Sequence, residues 1–365
     1  MMSFLSRSVW GRGAILAMAF ASSILPASSG WADSVLEQPA PEVIGLHPVV
    51  QLAVVNAGTR IVSVGERGVV LLSDDQGKSW RQGYVPISTT LTRVTFIDSK
   101  NGWAVGHSGV VIHTSDGGET WVKQLDGIAS AQIELEAARR NANDSGDSQR
   151  RISDAERLVA EGADKPFLAV LFDDVRNGMI FGAYGLAFST SDGGKTWNSL
   201  MGSVQDADGF HVYSAVAVQG KLYLAGEQGL LLQSSDGGKS FSRIKSPSNA
   251  TIFGITASPS VMLIYGLKGR LYRSDDGGGN WTRIEMPEAT ISAGVYVAGD
   301  TFLLANERGQ VFRSKDGGRT FQQVPTNNLA PVTGLALATD GVIVQSGLRG
   351  VSRITEMEHR EELAQ

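Results

Sequence analysis

Between residue 50 and residue 355 the apolar positions come in short runs of four to seven residues, many of them alternating. Val69–Leu72, Val110–His113, Val332–Ala338, Val342–Gln345 and Val351–Ile354 are examples. Each run is bounded by glycine or by a polar turn, which is the spacing of half-buried strands and too short for helices. One polar interruption recurs. Ser73–Trp80 (SDDQGKSW) returns at Thr114–Trp121, Thr190–Trp197, Ser234–Phe241, Ser274–Trp281 and Ser314–Phe321, with an Asp-x-Gly-x-x-aromatic core in all six copies. The closing aromatics follow one another at about 40 residues, with one longer step from Trp121 to Trp197, as expected for a repeat architecture.

A second interruption precedes each of these turns. Gly65–Gly68, Gly106–Gly109, Gly182–Gly185, Gly226–Gly229 and Gly266–Gly269 are G-x-x-G; Asn306–Gly309 carries Asn for the first Gly; a seventh copy stands at Gly347–Gly350. Gly and Asn accept the positive φ that tight hairpins need. Each unit therefore reads strand, strand, G-x-x-G turn, strand, Asp turn, strand. Short strands at this period predict an all-β, seven-bladed β-propeller of four-stranded blades over residues 33–355. Blade seven lacks an outer strand at the C-terminus, and Pro41–Leu46 is expected to supply it and close the ring. A six-bladed ring with a loose seventh hairpin is the alternative.

The longer step holds an insertion, 127–166, between blades two and three. Ser130–Asn141 has helical spacing at Ala131, Leu135 and Ala138. Asn143–Ser148 reads as a polar breaker, and Ser153–Glu156 as a capping box opening a second helix that Gly162 and Pro166 stop. The hairpin is charged, with a narrow apolar stripe, so it is expected to be separable from the fold. In a blade ladder it emerges on the same face as the G-x-x-G turns. It reads as a docking arm or channel lid, against the plainer reading of a solvated insert.

Residues 1–32 read as a signal peptide. Arg7 and Arg12 form a basic start, Ala14–Leu25 an apolar stretch of signal length, and Gly30-Trp31-Ala32 a small-residue end with cleavage after Ala32. An uncleaved anchor is the alternative. No later segment is long and apolar enough to span a bilayer as a helix. The expected location is the periplasm, and residues 356–365 form a tail. The chain has no cysteine, 44 glycines and a net charge of −5. Disulfides, thiolate metal sites and Cys nucleophiles are excluded, and the acidic balance argues against nucleic acid as a partner.

Asp75, Asp116, Asp192, Asp236, Asp276 and Asp316 recur on separate blades. A structural role is expected for them: an Asp side chain accepts bonds from its own turn, and the aromatics pack between blades. The G-x-x-G tips vary instead. Blades five, six, seven and one are ring neighbours and carry Lys268, Arg308, Arg349 and Arg67, with Glu307 and Glu66 beside them. They read as a basic sector able to bind a carboxylate, phosphate or acidic peptide, or as ordinary solvated turn charge. His47, His107, His113, His211 and His359 lack metal-ligand spacing, so no metal or cofactor is expected.

S-x-D-x-G-x-T-W is similar to the Asp-box, or BNR repeat, of sialidases and related propellers. Combined with the upstream turn in Val105–Trp121 and with Asn101–Gly106 (NGWAVG), it resembles the photosystem II stability/assembly factor family, over roughly residues 40 to 355. That resemblance implies an exported, monomeric, non-enzymatic scaffold for a membrane protein or membrane-complex subunit, without membrane insertion of its own. Bacteria that are not photosynthetic carry relatives as well. A glycan- or small-ligand-binding propeller, or a degenerate sialidase-like glycosidase, is the alternative. Arg67, Arg308 and Arg349 could be taken for a sialidase arginine cluster and Tyr184 for its nucleophile, but the repeat places no Glu beside that Tyr, so no enzyme is expected.

Overall fold

The computed structural model describes residues 34–43, 49–204, 209–326 and 330–354. The expected leader and cleavage site, Ile44–Leu46, His47, His359 and the expected tail lie outside the described residues. Seven antiparallel sheets follow one another along the chain, each ordered as its strands are ordered in sequence. In blade one these are β1 (Gln51–Ala57), β2 (Arg60–Gly65), β3 (Val70–Ser73) and β4 (Arg81–Gln82). The innermost strand of each later blade is β5 (Leu91–Phe96), β9 (Phe167–Phe172), β13 (Val212–Val218), β17 (Ile252–Ala257), β21 (Ile291–Ala298) and β25 (Val332–Leu337). Consecutive inner strands lie side by side, and β25 lies against β1, so seven blades close the ring. Blades one to six are four-stranded; blade seven has three strands among the described residues.

Of the stretch Pro41–Leu46 expected to complete blade seven, residues 41–43 lie against blade one, and residues 44–46 lie outside the described residues. The Gln82 amide of blade one accepts from the Val43 N–H at 2.9 Å and donates to the Pro41 carbonyl at 2.9 Å. Ala40 donates to Val85, and Leu36 is buried with Val85 and Ile87. Burial of Leu36 thus holds this stretch on blade one. Among the described residues side chains bridge blades seven and one: Thr333 Oγ1 donates to the Gln51 carbonyl at 2.6 Å, Asn56 to Leu337 at 2.8 Å, and Arg353 to Gln76 at 2.5 Å.

The box aromatics pack across blade boundaries, as expected. Trp121 of blade two is buried with Leu72 of blade one. Trp197 of blade three is buried with Trp103 of blade two. Phe241 of blade four lies edge-on to Phe181 of blade three at 6.0 Å. Burying rings of this size at each boundary is what holds radial sheets together.

The insertion is two helices, α1 (Gly127–Arg140) and α2 (Gly146–Glu161). α2 begins seven residues before the expected capping box. Ser145 caps it by accepting from the Ser148 N–H at 3.2 Å, and Ser153 is mid-helix. Gly162, at φ 77°, ends it. The hairpin is less separable than its charge suggests. Glu134 of α1 is 1% exposed. Its carboxylate takes two bonds from Arg151, at 2.8 and 3.0 Å, and a third from the Ser199 hydroxyl on the outer strand of blade three. Ile133 and Leu158 pack on the core between blades two and three. Among the described residues no helix is long and apolar enough to cross a membrane.

Candidate functional face

Each G-x-x-G turn is built by close approach rather than by positive φ at its first residue. Gly65 has φ −163°, extended backbone; a Cβ there would lie 2.0 Å from the Val50 carbonyl oxygen. Gly106, Gly182, Gly226, Gly266 and Gly347 face the corresponding carbonyl at 2.1–2.3 Å. The next residue donates its N–H to that same carbonyl: Glu66 to Val50, His107 to Thr90, Glu227 to His211. Positive φ falls instead on the third and fourth residues. Arg67, Ser108, Tyr184, Gln228 and Lys268 are left-handed at φ 50–57°. Blades six and seven are different: the Asn306 amide oxygen accepts from the Arg308 and Gln310 N–H groups, and neither Arg308 nor Arg349 is left-handed.

This geometry separates the charges of the basic sector. Arg67, Lys268, Arg308 and Arg349 are exposed at their tips. None of the four forms an ion pair among the described residues. The acidic neighbours are turned inward to the backbone. Glu66 accepts from the Val50 N–H at 3.1 Å, Glu307 from Thr290 at 3.0 Å, and Glu227 from His211 at 2.9 Å. Glu66 and Glu307 therefore brace their turns, and the four cations are left to solvent on four adjacent blades.

The same face carries the insertion, where Gly127 at the start of α1 sits against the Ser108 carbonyl. Beyond it runs an aromatic row that the repeat did not reveal. Tyr184 lies 4.8 Å from His211, His211 lies 6.1 Å from Tyr213, and Tyr213 lies 5.4 Å from Phe253, between ring centroids. Lys165 stands over the Tyr184 ring at 5.3 Å, and His211 Nδ1 lies 2.7 Å from Glu227. Aromatic residues at the entry to neighbouring blades, Tyr213 and Phe253, were the available signal. Tyr184 faces His211 and Lys165.

The Asp turns occupy the opposite face and use their carboxylates internally. Asp75 Oδ1 accepts from the Ser79 N–H at 2.8 Å and Oδ2 from its hydroxyl at 2.6 Å, while Ser73 Oγ accepts from Gly77. Asp116, Asp192, Asp236, Asp276 and Asp316 repeat the pattern. These bonds favour the ionised form. The Ser79 hydroxyl holds Asp75, and the Thr196 N–H holds Asp192, at about 2, below the ordinary 3.8. Because the folded value is depressed, the stability these groups add is present above pH 4 and lost as pH falls toward 2. The melting temperature is expected to drop through that window. Asp116→Ala should cost about 1 kcal/mol, since its bonds are partly open to water, and should flatten the acid limb of the melting curve. A melting temperature constant from pH 5 to 2 would contradict this. Among the described residues no group of three His, Asp or Glu is placed to hold a metal.

Comparison with known proteins gives a consistent picture. The family model described as "Photosynthesis system II assembly factor YCF48" matches residues 72–145 and 152–295, more than half of the chain. The photosystem II stability/assembly factor HCF136 of Cyanidioschyzon merolae is 35% identical over 74 residues, which is 20% of this chain and only 17% of that protein's length. The solved structure titled "YCF48 bound to D1 peptide" superposes with a TM-score of 0.62 at 15% identity, covering 85% of this chain and 94% of that one. The GH74 xyloglucanase of Xanthomonas campestris superposes almost as well, at 0.60 and 14% identity over 86% of this chain and 53% of the enzyme. At such identities these two likenesses speak for the fold alone.

Proposed function

The chain belongs to the photosynthesis system II assembly factor YCF48 family, and from that premise we propose that it is an exported, monomeric, non-enzymatic scaffold that helps assemble or stabilise a membrane protein complex. The family match carries this reading. The working surface is the G-x-x-G face, with Arg67, Lys268, Arg308 and Arg349 as its anchors. A structural relative takes a D1 peptide, and an acidic or carboxylate-bearing segment of a membrane subunit is the partner that four uncompensated cations fit. The leader-like segment at residues 1–32 supports export to the periplasm, where such a subunit presents its exposed loops. Glu66 and Glu307, held by the Val50 and Thr290 N–H groups, keep the turns in shape and form no ion pair with the four tips among the described residues.

The test is Arg67→Ala, Lys268→Ala, Arg308→Ala and Arg349→Ala in one chain. Purified protein is used to capture detergent-solubilised membrane proteins at two salt concentrations, with melting recorded in parallel. The expected result is an unchanged melting temperature, because the four exposed tips hold no ion pair to lose. Loss of the salt-sensitive membrane proteins that the unaltered chain captures should accompany it. Equal capture by an equally stable variant would remove the basic sector from the function.

A further inference from the structure

The seven inner strands contain a single charged residue. β1, β9, β13, β17, β21 and β25 carry no Asp, Glu, Lys or Arg; β5 carries Arg93. Its position is special. Every inner strand has a register shift, a bulge, at its G-x-x-G end, and the residue just past it in the other blades is Ala53, Ala169, Ser214, Gly254, Ala293 or Gly334. Six small residues and one arginine occupy equivalent places around the axis. Small residues are needed there because inner strands crowd. Gly334 has the β1 backbone 3.0 Å from where its Cβ would be, and Gly254 leaves room for the Tyr265 ring.

Arg93 is only partly exposed, and among the described residues its one side-chain hydrogen bond runs from Nη1 to the carbonyl of Thr92 at 3.2 Å. Among the described residues no carboxylate pairs with it. Burial pushes its guanidinium down, and the one group that opposes this is the Tyr265 hydroxyl. That hydroxyl donates to the Gly294 carbonyl and is itself pushed up to about 12 by burial, so it is neutral and cannot serve as a counter-ion. A partly buried guanidinium with no carboxylate partner is costly, and the remedy is an anion.

We infer that the axial channel is a binding site for a small monocarboxylate with an apolar body, held by the Arg93 fork near the G-x-x-G mouth. One cation among otherwise uncharged inner strands suits a single negative charge; a dianion would leave half its charge uncompensated. The apolar body is matched by the bulged residues Leu52, Leu168, Tyr213 and Phe253, all partly exposed on inner strands. A guanidinium receives a carboxylate through two parallel bonds. The site is distinct from the four exposed tips, and its ligand need not be the scaffold's partner. The shared chemistry, a carboxylate, could come from a free acid or from a chain terminus.

Calorimetric titration tests it with phenylacetate, its neutral isostere phenylacetamide, and the peptide Ac-Ala-Ala-Phe. Phenylacetate should bind the full chain at least tenfold more tightly than the amide and raise the melting temperature. Arg93→Met should lose at least tenfold in phenylacetate affinity while melting higher than the parent in ligand-free buffer. Arg93→Lys, which keeps the charge and loses the fork, should bind at an intermediate level and serves if the Met variant does not fold. The quadruple tip variant should bind phenylacetate normally, so failure here and failure of the basic sector are told apart. Tighter binding of the peptide would assign the site to a chain terminus, and tighter binding of phenylacetate to a free acid. No binding of either carboxylate, equal binding of the amide, or undiminished binding by Arg93→Met would overturn the site.

Discussion

Gly106→Ala is expected to destabilise the propeller by about 3 kcal/mol, more than its single methyl would suggest. The added Cβ would lie 2.1 Å from the Thr90 carbonyl oxygen and 2.9 Å from the Leu91 Cα. Neither atom can retreat cheaply. The Thr90 carbonyl accepts the His107 N–H at 2.8 Å, and Leu91 is fully buried at the start of β5. The backbone there is extended, so the loss comes from steric contact and not from φ. Two controls separate the effects. Gly146→Ala, with nothing within 4 Å at the first turn of α2, should be neutral or gain up to about 1 kcal/mol. Gly209→Ala also has open space but sits at φ 72°, so it should cost about 1 kcal/mol. Denaturant unfolding that ranks the three variants in another order would refute the close-approach account of the turn.

Glu134→Ala carries the second large effect, about 3 kcal/mol, because it leaves Arg151 without its carboxylate and Ser199 without its acceptor. The lower end of the range applies because the Arg151 side chain keeps 22% of its surface in water and can turn outward. Arg151→Ala alone should cost a similar amount by stranding a carboxylate that is 2% exposed. The double variant should cost less than the sum, with a coupling of at least about 1 kcal/mol. Removing residues 128–165 for a short Gly/Ser loop should lower the melting temperature as well, since Ile133, Leu158 and Glu134 leave the edge of blade three uncovered. Strict additivity, or a deletion protein that melts like the parent, would restore the view of the hairpin as a free appendage.

The architecture was legible from local chemistry. Six Asp-x-Gly-x-x-aromatic turns and seven G-x-x-G positions are turn-specific signals, and a turn signals its conformation through its own residues. Blade number, strand order and the packing of Trp121 and Trp197 between blades followed from them. Helix starts were less legible, since Ser145 and Ser153 are both competent caps and choosing between them depends on what α1 presents to α2. The first glycine of each turn was read for the wrong reason: its requirement comes from a carbonyl some 15 residues earlier in the chain, which no local pattern shows.

What the tertiary structure alone decided concerns partners distant in sequence. The segment ending at Val43 sits on blade one because of Leu36, Val85 and the Gln82 amide. Glu134 is a buried charge because Arg151 and Ser199 converge on it from two other elements. Glu66 and Glu307 read as part of a charged patch until their carboxylates are seen turned to Val50 and Thr290. Arg93 looks like one polar residue in an alternating strand, and becomes singular only when seven inner strands are brought around one axis. Periodicity specifies which residues turn and which are buried; only closure of the ring specifies which charges are left without a counter-charge.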